Sequence, residues 1–263
     1  PINMPMGSYR AERINALLTE KDDFTKEDVF AMHADVYSLQ AERFMEILRP
    51  LLPATPQGEI MKSWDLCYDA ESQGAYLFEA FYKELYREVF GRNGFGEAAL
   101  DFLYDESGTF IDFYQNFDRI LLAENSTWFG GMSRDEVFAK VAEKALAIEP
   151  KTWGSRQQFT MSHMLFGGTL PKFLGFDRGP ITGVGGRSTI HQGQIYRSAG
   201  RITTFMPSLR MVTEMGEDTL YSNLAGGPSD NRFSKLYISD LENWLNYRYK
   251  VTRANGHGGV EKF

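Results

Sequence analysis

The stretch GPITGVGGRSTIHQG, Gly179–Gly193, decides between two folds. Read as a phosphate-cradling loop, it would set an alternating α/β architecture with a nucleotide site. That fingerprint needs a strand before it and a helix opening directly from it. Neither neighbour is convincing here, so tight turns between strands account for the glycines better. The chain then reads as α+β, with helices first and a strand-rich region after Trp153.

Upstream of this stretch the periodicity is helical. YRAERINALL (9–18) opens the chain's first helix. FTKEDVFAMHADVYSLQAERFMEIL (24–48) starts at Thr25, with Asp28 three residues on as in a capping box. Its apolar positions Val29, Met32, Val36, Leu39, Phe44 and Ile47 recur at helical intervals, and the prolines of RPLLPATPQGEI end it. AESQGAYLFEAFYKELYREVFG (70–91) predicts a helix closed by Gly91, and its Phe78, Phe81, Tyr82, Leu85 and Tyr86 form a core stripe. GEAALDFLYDES and TFIDFYQNFDRILLAEN predict two shorter helices. MSRDEVFAKVAEKALAIEP is capped at Ser133, carries Asp135 and Glu136 in its first turn, and Pro150 follows its end.

Downstream, FMPSLRMVTEMG, DTLYSNLAGG and SKLYISD alternate as strands do, and LENWLNYRYKVTR returns to helix. The expected organisation is a mainly helical region over 1–150, a strand-rich region with a closing helix over 151–252, and a flexible tail over 253–263.

The 263 residues suffice for one large domain or two ordinary ones, and 43% hydrophobic with 24% charged residues is ordinary globular composition. A net charge of −7 argues against nucleic acid or an anionic membrane as partner. No apolar run is long enough to span a bilayer. A single cysteine, Cys67, excludes an internal disulfide framework and a cysteine-based zinc cluster. The opening PINMPMGSYR lacks an initiator Met and a basic-then-apolar leader pattern, which suggests a piece of a longer precursor.

Composition and spacing yield no complete catalytic set. Cys67 with His33 would make a nucleophile and base, but nothing joins them and a bystander thiol is the plainer reading. His33, His163, His191 and His257 show no metal-binding spacing. Of the four, only His191, beside the glycine stretch, stays a candidate. The pairs Asp101/Asp105 and Asp112/Asp118 fall on helix faces, where solvated charge is the normal fate. Arg10 is the misfit: the positive end of a helix dipole favours acids, and YRAERI sets Arg10 and Arg13 there.

Several segments together resemble the penicillin acylase (penicillin amidase) family. They are YRAERINALL, FTKEDVFAMHADVYSLQAERFMEILRPLL, WDLCYDAESQGAYLFEAFYKEL, KTWGSRQQFTMSHMLFG, GVGGRSTIHQGQ, PSLRMVTEM and GGPSDNRFSKLYISDLENWLNYRY. Their order and rough spacing also resemble that family, from about Met6 to about Thr252. The resemblance implies an N-terminal nucleophile hydrolase with an αββα sandwich, incomplete in this chain. In such enzymes a precursor cuts itself and the new first residue, a serine, attacks an amide carbonyl. Its own α-amino group is the base, and a backbone N–H with an asparagine side chain holds the oxyanion.

Pro1 departs from that pattern, having no hydroxyl and only a secondary amine. The resemblance places the chain in the C-terminal part of the large (beta) subunit, with the oxyanion asparagine a short way before Pro1; Asn3 stands in the wrong place for it. It implies as partners the alpha subunit and the upstream part of the beta subunit, with a small-molecule amide as substrate. The family acts on penicillins, glutaryl cephalosporins and acyl-homoserine lactones. No cofactor is expected in this chain, and the family allows calcium through residues outside it. A periplasmic or secreted location is usual. One site residue carries over: aligned without gaps, the arginine that supports the oxyanion asparagine falls at Arg10, with Arg13 in a flanking ion pair. The plain alternative for Arg10 is a charge snorkelling over apolar surface. Alone, the chain is expected to be inactive, and the competing reading is a stand-alone, non-catalytic, helix-rich interaction module.

Overall fold

The computed structural model describes residues 7–113, 117–198, 201–253 and 261–262. It is α+β: ten α-helices and small antiparallel sheets of two, two and four strands occur among the described residues. The chain divides into two compact units, Pro1–Arg13, Val36–Phe159 and Thr182–Phe205 in the first, Ile14–Asp35, Thr160–Ile181 and Met206–Phe263 in the second.

The first unit is built on α3 (Leu39–Leu48), α4 (Pro56–Lys62), α5 (Gln73–Tyr86), α6 (Glu97–Phe113), α7 (Asp118–Leu121), α8 (Arg134–Ala145) and α9 (Trp153–Arg156). The opening turn of α1 (Tyr9–Leu18) joins it. Side-chain oxygens begin four of these helices: Ser38, Thr55, Ser72 and Ser133 each accept from a first-turn backbone N–H, and Ser133 with Glu136 completes a capping box. Such caps satisfy donors that the helix cannot. The expected aromatic stripe of α5 is core: Phe78, Phe81, Tyr82, Leu85 and Tyr86 are all buried. Phe138 of α8 stacks on Phe44 of α3 at 6.1 Å and meets the edge of Phe81 at 5.5 Å. Each fully buried ring of this size contributes up to about 3 kcal/mol through removal from water.

Three helix boundaries differ from expectation. The run 24–48 is not one helix but two, Lys26–Ala34 and Leu39–Leu48. The chain turns extended at Asp35, Tyr37 bridges to Cys67, and Ser38 caps a new start. Gly91 does not close α5; the chain continues through a π-helical segment, Arg87–Phe95, and the cap falls at Gly96 (φ 95°). The Gly96 N–H reaches back to the Gly91 carbonyl at 2.9 Å, the wider turn that defines a π-helix. The two short helices foreseen after it are instead one long helix, α6, followed by the single turn of α7. Only Gly108 stands between Ser107 and Thr109, and an isolated glycine weakens a helical pattern without ending it.

β1 (Gln158–Met161) and β2 (Arg178–Thr182) pair, and β3 (Gln194–Ser198) pairs with β4 (Arg201–Phe205). The glycine stretch therefore runs from strand to strand. A strand, β2, does lead into GVGGR, contrary to expectation, but no helix follows, and the nucleotide-loop reading fails on that side. Gly185 has φ +79°, and a side chain there would drive a Cβ to 2.0 Å from the His191 carbonyl oxygen. Gly186 lies against the Tyr68 ring, where a Cβ would sit 2.8 Å from a ring carbon.

The second unit holds α2 (Lys26–Ala34), α10 (Leu241–Leu245) and a sheet in the order β5 (Leu209–Thr213), β6 (Thr219–Leu224), β7 (Lys250–Arg253), β8 (Glu261–Lys262). The Thr25–Asp28 capping box opens α2 as expected. LENWLNYRYKVTR is not one helix. After five residues Tyr247 turns left-handed (φ 54°), and Lys250–Arg253 returns as a strand paired with β6, Val251 opposite Tyr221. The β-branched pair Val251-Thr252 fits a ladder better than a helix. SKLYISD likewise forms turns leading into α10, not a strand. Of the expected tail, residues 254–260 and 263 lie outside the described residues, while Glu261 pairs with Val251. Among the described residues no helix is long and apolar enough to cross a membrane.

Candidate functional site

Arg10 sits in the first turn of α1, half-buried, and its side chain answers the dipole question. The guanidinium turns away from the helix and grips two backbone carbonyls of the glycine stretch. Nε donates to the Thr189 oxygen at 3.0 Å and Nη2 to the Ile190 oxygen at 3.1 Å. Burial pulls its pKa down from the usual arginine value. Glu12 supplies the acid that the helix start favours and pairs with Arg43. Arg13 lies with its guanidinium carbon 4.6 Å over the Tyr37 ring, a cation–π contact on the helix flank.

The segment that Arg10 grips is itself bound from within. Gly183 N–H donates to Gln157 O (2.7 Å), Gly185 N–H to Tyr68 O (2.8 Å), and the Trp153 indole to Gly185 O (2.9 Å). The Thr189 hydroxyl donates to the His191 carbonyl at 2.6 Å, and Gln192 closes the turn on Arg187 O at 2.9 Å. These bonds hold the two acceptor carbonyls still.

Tyr9, the chain neighbour of Arg10, joins a buried polar network that the sequence did not announce. Asp118, expected on a solvated helix face, is 2% exposed. Its Oδ2 accepts from the Tyr9 hydroxyl at 2.9 Å and the Gln40 amide at 2.7 Å, and its Oδ1 from the Tyr82 hydroxyl at 2.6 Å. Single-turn α7 starts at Asp118, whose side chain meets the phenols of Tyr9 and Tyr82. Burial pushes the Asp118 carboxyl up; the hydrogen bonds from Tyr82, Gln40 and Tyr9 and the charge of Arg187 offset this only in part. The Tyr9, Tyr82 and Tyr68 hydroxyls are also pushed up, by burial first.

The network extends to the glycine stretch. Ser188 Oγ donates to the Gln40 side-chain oxygen at 3.2 Å and lies 3.1 Å from Ser38 Oγ. Arg187 pairs with buried Glu79 and stands 4.3 Å over the Tyr82 ring, while Tyr68 donates to Glu79 at 2.8 Å. Glu79, Tyr82 and Arg187 line a cleft of about 520 Å³ together with both basic and acidic side chains, among them Arg156, Asp101 and Asp105. The Ser188 and Thr189 hydroxyls are both engaged in holding the loop. This arrangement can fix a cation and orient carbonyls; it does not present a nucleophile beside a base.

Of the other candidates, Asp101 and Asp105 line the same cleft and His191 lies in the gripped loop, while His33, His163 and Cys67 lie elsewhere. His191 is buried under Gly185 in the same loop. His33 belongs to the second unit, with Nδ1 2.7 Å from the Tyr249 hydroxyl, and its pKa is lowered by burial and by the charge of Arg210. Cys67 is half-buried in the first unit. His163 Nδ1 accepts the N–H groups of Leu165 and Phe166, a turn-forming role. Asp101 is paired with Arg87 at 2.8 Å, and Asp105 is exposed. His257 and the side chain of Asp112 lie outside the described residues. Asp65, Cys67 and Asp69 bring their ligand atoms within 4.8 Å of one another. A thiol among them does not suit calcium, which takes oxygen donors.

One signal for the network was present in the sequence. A core stripe that includes Tyr82 and Tyr86 carries hydroxyls, and buried phenols need acceptors. The acceptor, Asp118, could not be chosen by periodicity.

The sequence matches the penicillin amidase family over residues 3–255. It is similar to "Penicillin acylase 2 proenzyme" from Pseudomonas sp. (strain SE83), 27% identical over 259 residues, covering 95% of this chain. The chain spans 30% of that relative's length. The matched region contains α1 with Arg10, the helices of the buried network and the glycine stretch. On that evidence the chain belongs to the penicillin amidase family.

Proposed function

We propose that this chain is the C-terminal part of the large subunit of a hydrolase of linear N-acyl amides, with Arg10 supporting the oxyanion site. The observation that carries this reading is the family match over residues 3–255. The relative is named a proenzyme and this chain covers 30% of it, which fits a piece of a self-processed precursor. The nucleophile and the oxyanion donors then come from residues that this sequence does not contain. β1–β7 contribute to an αββα sandwich completed by those residues.

Arg10 suits a supporting role for physical reasons. Its charge is always present, its fork is planar, and two carbonyls fix it, so it holds a direction without rearranging. A cation held beside an asparagine side chain orients that amide toward developing negative charge. Substrates of the penicillin, cephalosporin or acyl-homoserine lactone type belong to this reading.

The test is hydrolysis of N-phenylacetyl and fatty-acyl amides by the chain alone and by the protein that joins it to its nucleophile-bearing segment. The joined protein should turn over one of these amides and the chain alone none. Robust, inhibitor-sensitive hydrolysis by the chain alone would overturn the proposal.

A second reading is a stand-alone interaction module. Its support is the exposure of Met164, Phe173 and Phe233 in the second unit, at 96%, 84% and 85%. Stable association with the upstream segment in light scattering favours the enzyme, and a well-behaved monomer indifferent to that segment favours the module.

A further inference from the structure

We infer that Asp118 is a positioning residue for Arg10, acting on both sides of the Arg10 clamp at once. On the donor side, Asp118 Oδ2 takes the hydroxyl of Tyr9, the chain neighbour of Arg10, at 2.9 Å. On the acceptor side, the same oxygen takes the Gln40 amide at 2.7 Å. The Gln40 oxygen in turn accepts Ser188 Oγ at 3.2 Å, and Ser188 is the chain neighbour of Thr189. Arg10 then closes the circuit by donating to Thr189 and Ile190. One carboxylate thus fixes where the guanidinium starts and where its carbonyls lie.

The chemistry of the site supports this assignment over a purely structural role. A buried carboxylate is costly, and a packed apolar side chain would serve a core at least as well. Here a carboxylate can do what an apolar group cannot: its Oδ2 accepts two donors from different elements and ties them to one point. Tyr82, donating to Oδ1 at 2.6 Å, keeps the carboxyl from rotating off that point. Arg43, with its guanidinium carbon 5.0 Å over the Tyr9 ring, holds the phenol from the other side. These distances carry the positioning of Arg10; its consequence for catalysis rests on the proposed hydrolase.

The experiment reads the Arg10 Nε–H directly, as its hydrogen-exchange rate in the NMR spectrum of the chain. Tyr9→Phe cuts the donor arm with least disturbance, Asp118→Ala cuts both arms, and Asp118→Asn keeps one acceptor oxygen. Losing the clamp should speed Arg10 Nε–H exchange about tenfold or more in Tyr9→Phe and Asp118→Ala, with Asp118→Asn intermediate. The Trp64 indole, bonded to the Cys67 carbonyl at 3.0 Å, should keep its wild-type exchange. If Asp118→Ala does not fold, Tyr9→Phe carries the test alone. Unchanged Arg10 exchange, or acceleration only in step with the Trp64 indole, overturns the inference. In the joined protein, Tyr9→Phe should lower kcat with KM near wild type. If that protein hydrolyses no amide while the exchange result holds, the hydrolase reading fails and the positioning role survives.

Discussion

The Tyr9 hydroxyl donates to the Asp118 carboxylate across 109 residues of sequence, tying the first turn of α1 to the start of α7. The carboxyl is buried with three donors around it and its pKa is pushed up.

The cost of removing that carboxylate is the first prediction. Asp118→Ala strands the Tyr9, Tyr82 and Gln40 donors and leaves a small cavity. It should lower the unfolding free energy by about 2–4 kcal/mol in denaturant titration. A loss below the range of surface substitutions would show that the network relaxes or is hydrated.

The pH dependence of the same site has a definite sign. A carboxyl whose folded pKa is raised binds its proton more tightly in the folded state. Its contribution is therefore fully present below the unfolded value and is lost as pH rises through the folded value. Wild type should gain stability over Asp118→Asn on acidification into that window. A difference independent of pH, or of opposite sign, contradicts the shift.

Asp28 should behave in the reverse way. Hydrogen bonds from Lys21 and then from Thr25 lower its pKa to about 2. Its stabilising effect is present above the ordinary carboxylate value and fades as pH falls toward about 2. In a carbon-detected titration, Lys21→Ala should move the Asp28 midpoint up markedly and Thr25→Ala by less. An unmoved midpoint in both would remove the capping-box explanation.

The glycine stretch makes a conformational prediction. Gly185→Ala places a Cβ at positive φ and against the His191 carbonyl. It should cost about 1–3 kcal/mol and displace the loop that carries the Arg10 acceptors. Chemical-shift changes should reach Thr189 and Ile190. Wild-type stability and shifts would mean that the loop accommodates the change.

Much of this fold was legible because local chemistry announces itself. Thr25 and Ser133 stand where caps stand, and the α5 stripe repeats at the helical period. The π-helical run past Gly91 was not legible, since a glycine is as compatible with a wide turn as with an end. The closing helix failed at Tyr247, where a left-handed residue and strand pairing to β6 override a helical pattern. For the site, a charge at the wrong end of a helix singled out Arg10, but its partners are main-chain carbonyls with no side-chain signature. Asp118 stayed hidden because helical spacing cannot tell a solvated acid from one that caps a group of phenols.

The most direct test of the central claim is the kcat of Arg10→Ala in the protein that joins this chain to its nucleophile-bearing segment. With N-phenylacetyl amides as substrate, the account predicts a kcat lower by about tenfold to a hundredfold with KM little changed. A variant that keeps wild-type kcat, with the Thr189 and Ile190 carbonyls released, would contradict it.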